Sequence, residues 1–220
     1  MTSFYKTADS FKQGSRTLPQ RYYIEDLLLE EEMENIFFNR WLCIGRSNEI
    51  KKSGEYKIFT IGNESLFIIR NENNQLMAFY NICRHRGTRI CSKKNGKYSK
   101  SIQCPYHGWT YDLSGRLIGA PNMDAVEQFN KDNYPLFSAN LIEWEGFIFI
   151  NLSDNPSEFK LEYKPIINRF SEWEINDIEI YESKVYHVNC NWKLIIQNYS
   201  ECYHCPMIHK SLAGITHYLG

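Results

Sequence analysis

The sequence predicts an α+β fold in which an antiparallel β domain occupies residues 40–152. Three observations support this prediction. Apolar and polar residues alternate in successive runs between residues 55 and 82, and Gly–Asn or Asn-rich turns separate these runs. Apolar residues recur at helical spacing in residues 24–38, before this region, and in residues 191–204, after it.

The N-terminal part is predicted to be loosely ordered over residues 1–20, which are polar, and helical over residues 24–38. The acidic residues of this helix are concentrated toward its start, where the helix dipole favours negative charge. Its apolar residues at near-helical spacing are Leu28, Met33, Ile36 and Phe37.

The β domain is predicted from strand runs and from the turns between them. The runs EYKIFTI, SLFIIR and QLMAFYNI follow one another, with turns at residues 62–63 and 71–74. Two further hairpins are predicted at DLSGR and at residues 145–146, which separate LIEW from FIFINL. We interpret the segment SKKNGKYSK, which lies between these groups, as a long loop.

Residues 153–159, with the sequence SDNPSEF, are the best candidate for a linker. Beyond them YKPIINRFSEW is predicted to be helical, IEIYESKVYHVN to be a strand and NWKLIIQNYSECYH to be a helix. The last helix has one apolar face, formed by Trp192, Ile195, Ile196 and Tyr199.

Composition and charge exclude several classes of function. The formal net charge is −1 and acidic and basic residues are mixed along the chain, so no nucleic-acid-binding surface is indicated. No apolar run is long enough to cross a bilayer, and the N-terminal residues lack the apolar core of a signal peptide. We therefore expect a cytoplasmic protein with no membrane contact. Its seven cysteines, an odd number, are then expected to be thiols or metal ligands.

A first candidate metal site lies at two short motifs that each combine a cysteine with a histidine. Cys83 and His85 form C-x-H, Cys104 and His107 form C-x-x-H, and eighteen residues separate the two motifs. Such a ligand set binds either zinc or an iron–sulfur cluster. Each pair is mixed and each follows a strand, which favours a [2Fe–2S] centre of the Rieske type, with thiolates on one iron and imidazoles on the other. Structural zinc is the alternative.

Glycines and aromatic residues accompany this ligand set. Gly87 and Gly108 follow the two histidines, where a tight turn would bring backbone N–H groups toward the bridging sulfides of a cluster. Tyr106 and Trp109 can exclude water from such a cluster, which tunes its reduction potential through the local dielectric and hydrogen bonding.

A second candidate metal site lies at His204 and His209. The two histidines are five residues apart, roughly 140° around a regular helix, so a straight helix would separate them. Pro206 lies between them and is expected to interrupt the helix and to let His209 turn back toward His204. Two histidines and a carboxylate from elsewhere would form the facial triad of a non-haem Fe(II) oxygenase.

Other interpretations of this segment are open. Cys202 and Cys205 together with the two histidines have the residue types of a zinc site. Glu201 and His204 form a Glu-x-x-His pair, as in di-iron carboxylate proteins, although the second pair that such a centre needs is missing from the sequence. His187 and His217 are interpreted as structural.

The two motifs together resemble a known family. CRHRG followed by CPYHGW is similar to the Rieske signature of the bacterial ring-hydroxylating oxygenases, large (alpha) subunit. The pattern N-W-K-L followed by N-Y-x-E-x-x-H-x-x-x-x-H resembles the catalytic domain of the same family. The resemblance implies a [2Fe–2S] cluster on Cys83, His85, Cys104 and His107, and mononuclear Fe(II) on His204 and His209.

The resemblance also implies a domain organisation. Residues 1–39 would be a helical segment that packs on the catalytic part, residues 40–152 the Rieske domain, and residues 153–220 the beginning of a helix-plus-antiparallel-sheet catalytic domain. The third iron ligand of the family, a carboxylate far toward the C-terminus, has no counterpart in this sequence. We therefore expect the chain to be the N-terminal portion of a longer protein, and to be inactive alone.

Function and partners are implied in the same way. The family's members are terminal oxygenase components that take electrons from an NAD(P)H-dependent reductase or a ferredoxin and activate O2 to oxidise a small organic substrate. They form head-to-tail homotrimers, in which an acidic residue three positions before the first iron histidine bridges the metal sites of neighbouring subunits. Glu201 occupies that position.

The expected substrate class follows from one residue that differs from those typical of arene dioxygenases. Glu201 and the surrounding ECYHC look more like the branch that oxidises choline, carnitine and related methylammonium compounds, because arene dioxygenases commonly have Asp at this position. Arene dioxygenation is the alternative substrate class. A Rieske electron-transfer protein without catalysis is the alternative of another kind.

Overall fold

The structure is a computed structural model, and it describes residue 14 and residues 16–200 and 204–215. The predicted N-terminal helix is confirmed, but it is not continuous. It consists of α1 (Arg21–Ile24), α2 (Asp26–Glu32) and a π-helix, Met33–Phe38. Most of the polar segment before it lies outside the described residues.

Ten β-strands in the described residues form three antiparallel sheets. Their orders are β1-β10-β9, β4-β3-β2-β5 and β6-β7-β8. The strand bounds are β1 (Leu42–Arg46), β2 (Glu55–Ile61), β3 (Glu64–Arg70), β4 (Leu76–Tyr80), β5 (Asn95–Lys97), β6 (Ser101–Gln103), β7 (Thr110–Asp112), β8 (Leu117–Gly119), β9 (Asn140–Trp144) and β10 (Phe147–Asn151). Short 3-10 helices lie at Ser47–Glu49, Lys131–Asn133 and Ile175–Asp177.

The four predicted hairpin turns of the β domain are confirmed by the strand pairing. β2 pairs with β3, β3 with β4, β7 with β8 and β9 with β10, all antiparallel. Three pairings were not predicted, among them that of β6 with β7. β1 pairs with β10, about a hundred residues along the chain, and β5 lies inside the segment SKKNGKYSK and pairs with β2. The segment predicted as a loop therefore contains a short strand, which was missed because its polar, exposed residues have no apolar pattern.

The sheets enclose a core that reaches the first candidate metal site. Ile68 and Ile148, from different sheets, are fully buried in one apolar cluster. A second cluster is centred on Tyr111 and contains both Cys83 and Cys104. Each fully buried aliphatic side chain contributes about 2 kcal/mol through removal from water. The two predicted ligand cysteines are thus held by the main core of the β domain.

The prediction of a helix over YKPIINRFSEW is wrong. The described helix α3 (Phe159–Glu162) precedes this segment, which instead forms consecutive turns. The N–H of Ile166 donates to the carbonyl of Tyr163, and the N–H of Arg169 to that of Ile166, both in i→i+3 geometry. Pro165 lacks an N–H and disfavours a helical residue before it, which explains the interrupted ladder.

The prediction of a strand over IEIYESKVYHVN is also wrong. Residues 178–189 have no regular secondary structure and pair with no strand among the described residues, and the side chains of Tyr181, Val185 and Tyr186 are exposed. Alternation alone does not form a strand, because the backbone groups also need a partner strand.

The predicted helix over residues 191–204 is confirmed as α4 (Trp192–Ser200) within the described residues, and α5 (Cys205–Ile208) and α6 (Lys210–Ile215) follow. The predicted apolar face of α4 is largely exposed, and Tyr199 keeps 90% of its surface accessible. Within the described residues, no helix is long and apolar enough to cross a bilayer.

The chain divides into two compact units, residues 32–183 and residues 1–31 with residues 184–220. The first unit contains all three sheets and the first candidate metal site. The second contains α4 to α6 and the second candidate metal site.

Candidate metal centres

The first ligand loop begins where β4 ends and is closed by its own backbone. The N–H of Cys83 donates to the carbonyl of Thr88 over 2.8 Å, and the N–H of Gly87 donates back to the carbonyl of Cys83 over 2.9 Å. Gly87 has φ +68°, and a Cβ placed there would contact no protein atom within 4 Å. The left-handed backbone therefore favours glycine here, and the protein around it leaves open space.

The second ligand loop, between β6 and β7, has the same construction. The N–H of Cys104 donates to the carbonyl of Trp109 over 2.8 Å, and the N–H of Gly108 donates to the carbonyl of Cys104 over 3.1 Å. Gly108 has φ +71°. Each loop thus presents a cysteine at its start and a histidine just before or near a left-handed glycine.

The base of the first loop is held by Asn81, which the sequence analysis missed. Asn81 is fully buried, and its Oδ1 accepts from the N–H groups of Ile90 (3.1 Å) and Cys91 (2.8 Å). Its Nδ2 donates to the carbonyl of Cys91 over 2.8 Å. The only sequence signal was a lone amide at the end of the apolar run QLMAFYNI, beside Cys83. An amide side chain can be buried in this way because its hydrogen bonds are made inside the protein.

The two candidate cysteine ligands are buried in the core. Cys83 and Cys104 are 2% and 3% exposed. Burial raises the pKa of the Cys83 thiol, and a hydrogen bond with Tyr111 opposes that rise. The Tyr111 hydroxyl lies 3.3 Å from the Cys83 Sγ and accepts from the N–H of Arg84 over 3.1 Å, so its own proton can point to the sulfur. Tyr111 is the second residue that the sequence analysis missed.

The two candidate imidazole ligands lie side by side. The ring centres of His85 and His107 are 4.7 Å apart, and His85 stacks on Trp109 at 4.9 Å with nearly parallel planes. Tyr106 contacts His107, with 3.8 Å between ring centres. Burial lowers the pKa of His85, and the neighbouring His107 and Arg86 lower it further, which favours the neutral imidazole that metals bind.

One buried nitrogen atom among the candidate ligands has no hydrogen-bond partner. The Nδ1 of His85 is buried and makes no hydrogen bond within the described residues. A buried polar atom without a partner costs roughly 1–3 kcal/mol. A bond from this nitrogen to iron would satisfy it.

The arrangement is compatible with a two-iron cluster of the Rieske type. Among the described residues, no three His, Cys, Asp or Glu side chains converge as the ligands of one metal ion would. In a Rieske cluster the two thiolates and the two imidazoles bind different irons, so the four ligands need not meet at one point. Two buried cysteines, two adjacent imidazoles and the unpaired Nδ1 fit that group.

The second candidate site brings its two histidines together, as predicted. The ring centres of His204 and His209 are 5.2 Å apart. His204 is the N-cap of α5, and His209 ends this helix with a non-helical ψ of 56°. Pro206 acts differently from the prediction: it lies in the first turn of α5, where its missing N–H costs nothing, and the chain turns at His209.

The remaining predicted residues of this region are only partly described. Glu201 and Cys202 lie outside the described residues. Cys205 is buried. The roles predicted for Glu201, and the zinc and di-iron alternatives that use Glu201 or Cys202, therefore stay predictions.

We expect Tyr111→Phe to keep the cluster and lower its reduction potential. The hydroxyl proton stabilises negative charge on the Cys83 sulfur, and that charge grows on reduction. A tenfold weaker preference for the reduced state corresponds to about 59 mV, so a shift of tens of millivolts is expected. Redox titration followed by EPR measures it. Tyr98→Phe is the matched control, because the Tyr98 hydroxyl contacts Cys91 and not a candidate ligand. An unchanged potential in Tyr111→Phe would show that this contact does not act on the cluster.

Comparison with known proteins identifies two domains of the chain. Residues 40–130 match the Rieske [2Fe-2S] domain, and residues 175–218 match the ring hydroxylating alpha subunit (catalytic domain). The chain thus combines a Rieske domain with part of the catalytic domain of the ring-hydroxylating alpha-subunit family. The Rieske domain implies a [2Fe–2S] cluster, and the family uses mononuclear Fe(II).

Its relatives include oxygenase subunits that act on methylammonium compounds. The glycine betaine monooxygenase oxygenase subunit of Chromohalobacter salexigens is 35% identical over 94% of this chain and 46% of its own. The carnitine monooxygenase oxygenase subunit of Acinetobacter baumannii is 36% identical over 90% of this chain and 53% of its own. The crystal structure of the quaternary ammonium Rieske monooxygenase CntA with L-carnitine is similar, with a TM-score of 0.85, 35% identity, and coverage of 91% of this chain and 57% of that one. The chain thus spans about half the length of these relatives.

Proposed function

We propose that this chain carries the electron-accepting part, and the first two iron ligands, of a terminal oxygenase. In this proposal Cys83 and Cys104 hold one iron of a [2Fe–2S] cluster, and His85 and His107 hold the other. His204 and His209 hold the mononuclear Fe(II). The observation that carries the proposal is the unpaired, buried Nδ1 of His85 beside His107, together with the burial of both candidate cysteines.

The chain's own residues give each ligand a defined position. The two backbone-closed loops fix the cysteines, and the stack of Trp109 on His85 fixes the first imidazole. Trp109 is itself buried against Phe129 and Tyr134, so this side of the site excludes water. When bound, the cluster supplies one-electron transfer and the Fe(II) supplies activation of O2.

The proposed substrate is a small methylammonium compound, which is hydroxylated or demethylated. Support comes from the names of the relatives, which are monooxygenase subunits for carnitine and glycine betaine. It also comes from the Glu201 position, which departs from the arene dioxygenase pattern. Aromatic-ring dioxygenation is the second candidate within the same family, and electron transfer without catalysis is the candidate of another class.

The remaining predictions complete the proposal. The domain limits are residues 1–39, 40–152 and 153–220. The partners are an NAD(P)H-dependent reductase or a ferredoxin, and the assembly is a cytoplasmic homotrimer. Glu201 bridges ligand histidines across the subunit junction, a role in which it orients metal ligands and does not bind metal.

The test of this proposal is a metal ion bound at His204 and His209 in addition to the cluster. Co(II), a spectroscopic probe for non-haem Fe(II) sites, is titrated into the chain with its cluster loaded. We expect weak Co(II) binding, because two histidines without the carboxylate form an incomplete triad. His204→Ala combined with His209→Ala is expected to abolish it.

His187→Ala is the control, because His187 is interpreted as structural. It should leave Co(II) binding unchanged. Co(II) binding that survives the double histidine replacement would contradict the iron site, and would leave the electron-transfer protein as the better description.

A further inference from the structure

A basic cleft lies on the β domain beside the first ligand loop. It has a volume of about 550 Å³ and is lined by Lys57, Arg89 and Lys94, together with polar residues that include Ser65 and Ser92. Among the residues described, no acidic side chain lines it. The cleft therefore has a positive charge that its own walls do not balance.

The unbalanced charge comes from two of the three basic residues. Lys57 forms an ion pair with Glu49. Arg89 and Lys94 are exposed, and within the described part of the chain neither side chain makes a hydrogen bond or an ion pair. Two free cations at the rim of a concave surface attract a negatively charged partner and raise its rate of encounter.

The cleft borders the buried cluster that contains the candidate ligand cysteines. Cys91 lines the cleft although it is only 1% exposed, and it packs in the same buried cluster as Cys83 and Cys104. Its Sγ lies 3.5 Å from the hydroxyl of Tyr98, which packs against that cluster. A partner seated in the cleft is thus separated from the cysteine side of the site by packed side chains and not by water.

The cleft and the first ligand loop are also joined by the backbone. Asn81, two residues before Cys83, makes three hydrogen bonds with the backbone of Ile90 and Cys91. Arg89 immediately precedes these residues. The positive wall of the cleft is therefore fixed relative to the loop that begins at Cys83.

The geometry points to this cleft as the docking site for an acidic electron-donor protein, which would enter with carboxylates against Arg89 and Lys94. The inference rests on the proposed function. In the transfer that docking would permit, one electron leaves the donor's own [2Fe–2S] centre, which is oxidised. The same electron reduces the cluster that Cys83, His85, Cys104 and His107 would hold, and no bond is made or broken.

The test uses an oxidised plant-type [2Fe–2S] ferredoxin, an acidic protein, as the probe. Its binding to the cluster-loaded chain is measured by isothermal titration calorimetry at low ionic strength. We expect Arg89→Glu combined with Lys94→Glu to weaken binding by about tenfold or more, because attraction at two rim positions becomes repulsion. Added salt should weaken the binding of the unmodified chain toward the same level.

The control is a second double variant with the same change of charge, made on a different part of the same compact unit. Lys160 and Lys164 are exposed residues in and after α3, and Lys160→Glu combined with Lys164→Glu should change the dissociation constant by less than about twofold. An equal loss in both double variants would reduce the effect to net charge and overturn the inference. Failure of the ferredoxin to bind the unmodified chain would overturn it as well.

A second measurement separates this inference from the proposed function. Stopped-flow reduction by the reduced ferredoxin should slow by about tenfold in the Arg89 and Lys94 double variant, whereas reduction by the small cation methyl viologen radical should not slow. If the chain holds no Rieske cluster, the proposed function fails whatever the binding result. If the cluster is intact and the double variant binds and accepts electrons normally, only the docking site fails.

Discussion

Replacement of Cys104 by alanine is expected to remove the [2Fe–2S] cluster altogether. Cys104 is buried at the start of a loop that its own backbone closes. An alanine side chain has no donor atom, so one iron loses one of its two thiolate ligands. The purified variant should be colourless and contain almost no iron or acid-labile sulfide. Chemical analysis and the visible absorption spectrum measure this.

The control for this prediction is Cys190→Ala. Cys190 is an exposed cysteine in the other unit. This variant should keep the colour and the full iron content. A brown, iron-loaded Cys104→Ala protein would show that another residue completes the ligand set, and the assignment of Cys104 would be wrong.

His107→Cys is expected to keep a cluster but to change its character. Exchanging a neutral imidazole for an anionic thiolate adds negative charge, which makes the centre harder to reduce. Rieske centres have potentials of about −150 to +300 mV and plant-type ferredoxins about −400 mV, so a decrease of roughly 100 mV or more is expected. Redox titration measures the shift, and the EPR signal should move toward the all-cysteine type.

His187→Cys is the matched control, since it introduces the same thiol in the other compact unit. It should leave both the potential and the EPR signal unchanged. An unchanged potential in His107→Cys would instead place His107 outside the ligand set.

The local features of the fold could be predicted from the sequence. The hairpins at residues 62–63 and 145–146 were predicted because alternation and turn residues are adjacent in the chain. The β1–β10 pairing was missed because its strands are far apart in sequence, and pairing between distant segments leaves no local pattern. The strand predicted at residues 178–189 failed for the converse reason, since the pattern is local but a partner strand is required.

In the candidate sites, too, the local motifs could be predicted and the contacts between distant segments could not. Residue type and spacing predicted Cys83 and His107 as ligands, because metal ligands are drawn from a few residue types. Tyr111 and Asn81 were missed because their contacts cross from one strand or loop to another, and neither residue type is characteristic of metal binding. The approach of His204 to His209 was predicted, although the turn occurs at His209 and not at the proline.

Pulsed EPR on the dithionite-reduced chain tests which residues bind the cluster. In the proposed site, two imidazoles and two thiolates hold a single [2Fe–2S] cluster. We expect a Rieske-type signal with magnetic coupling to the nitrogens of two histidine ligands, and loss of one of these couplings in His107→Cys. A reduced cluster without histidine nitrogen coupling, or a zinc-loaded protein without an EPR signal, would rule out this ligand set.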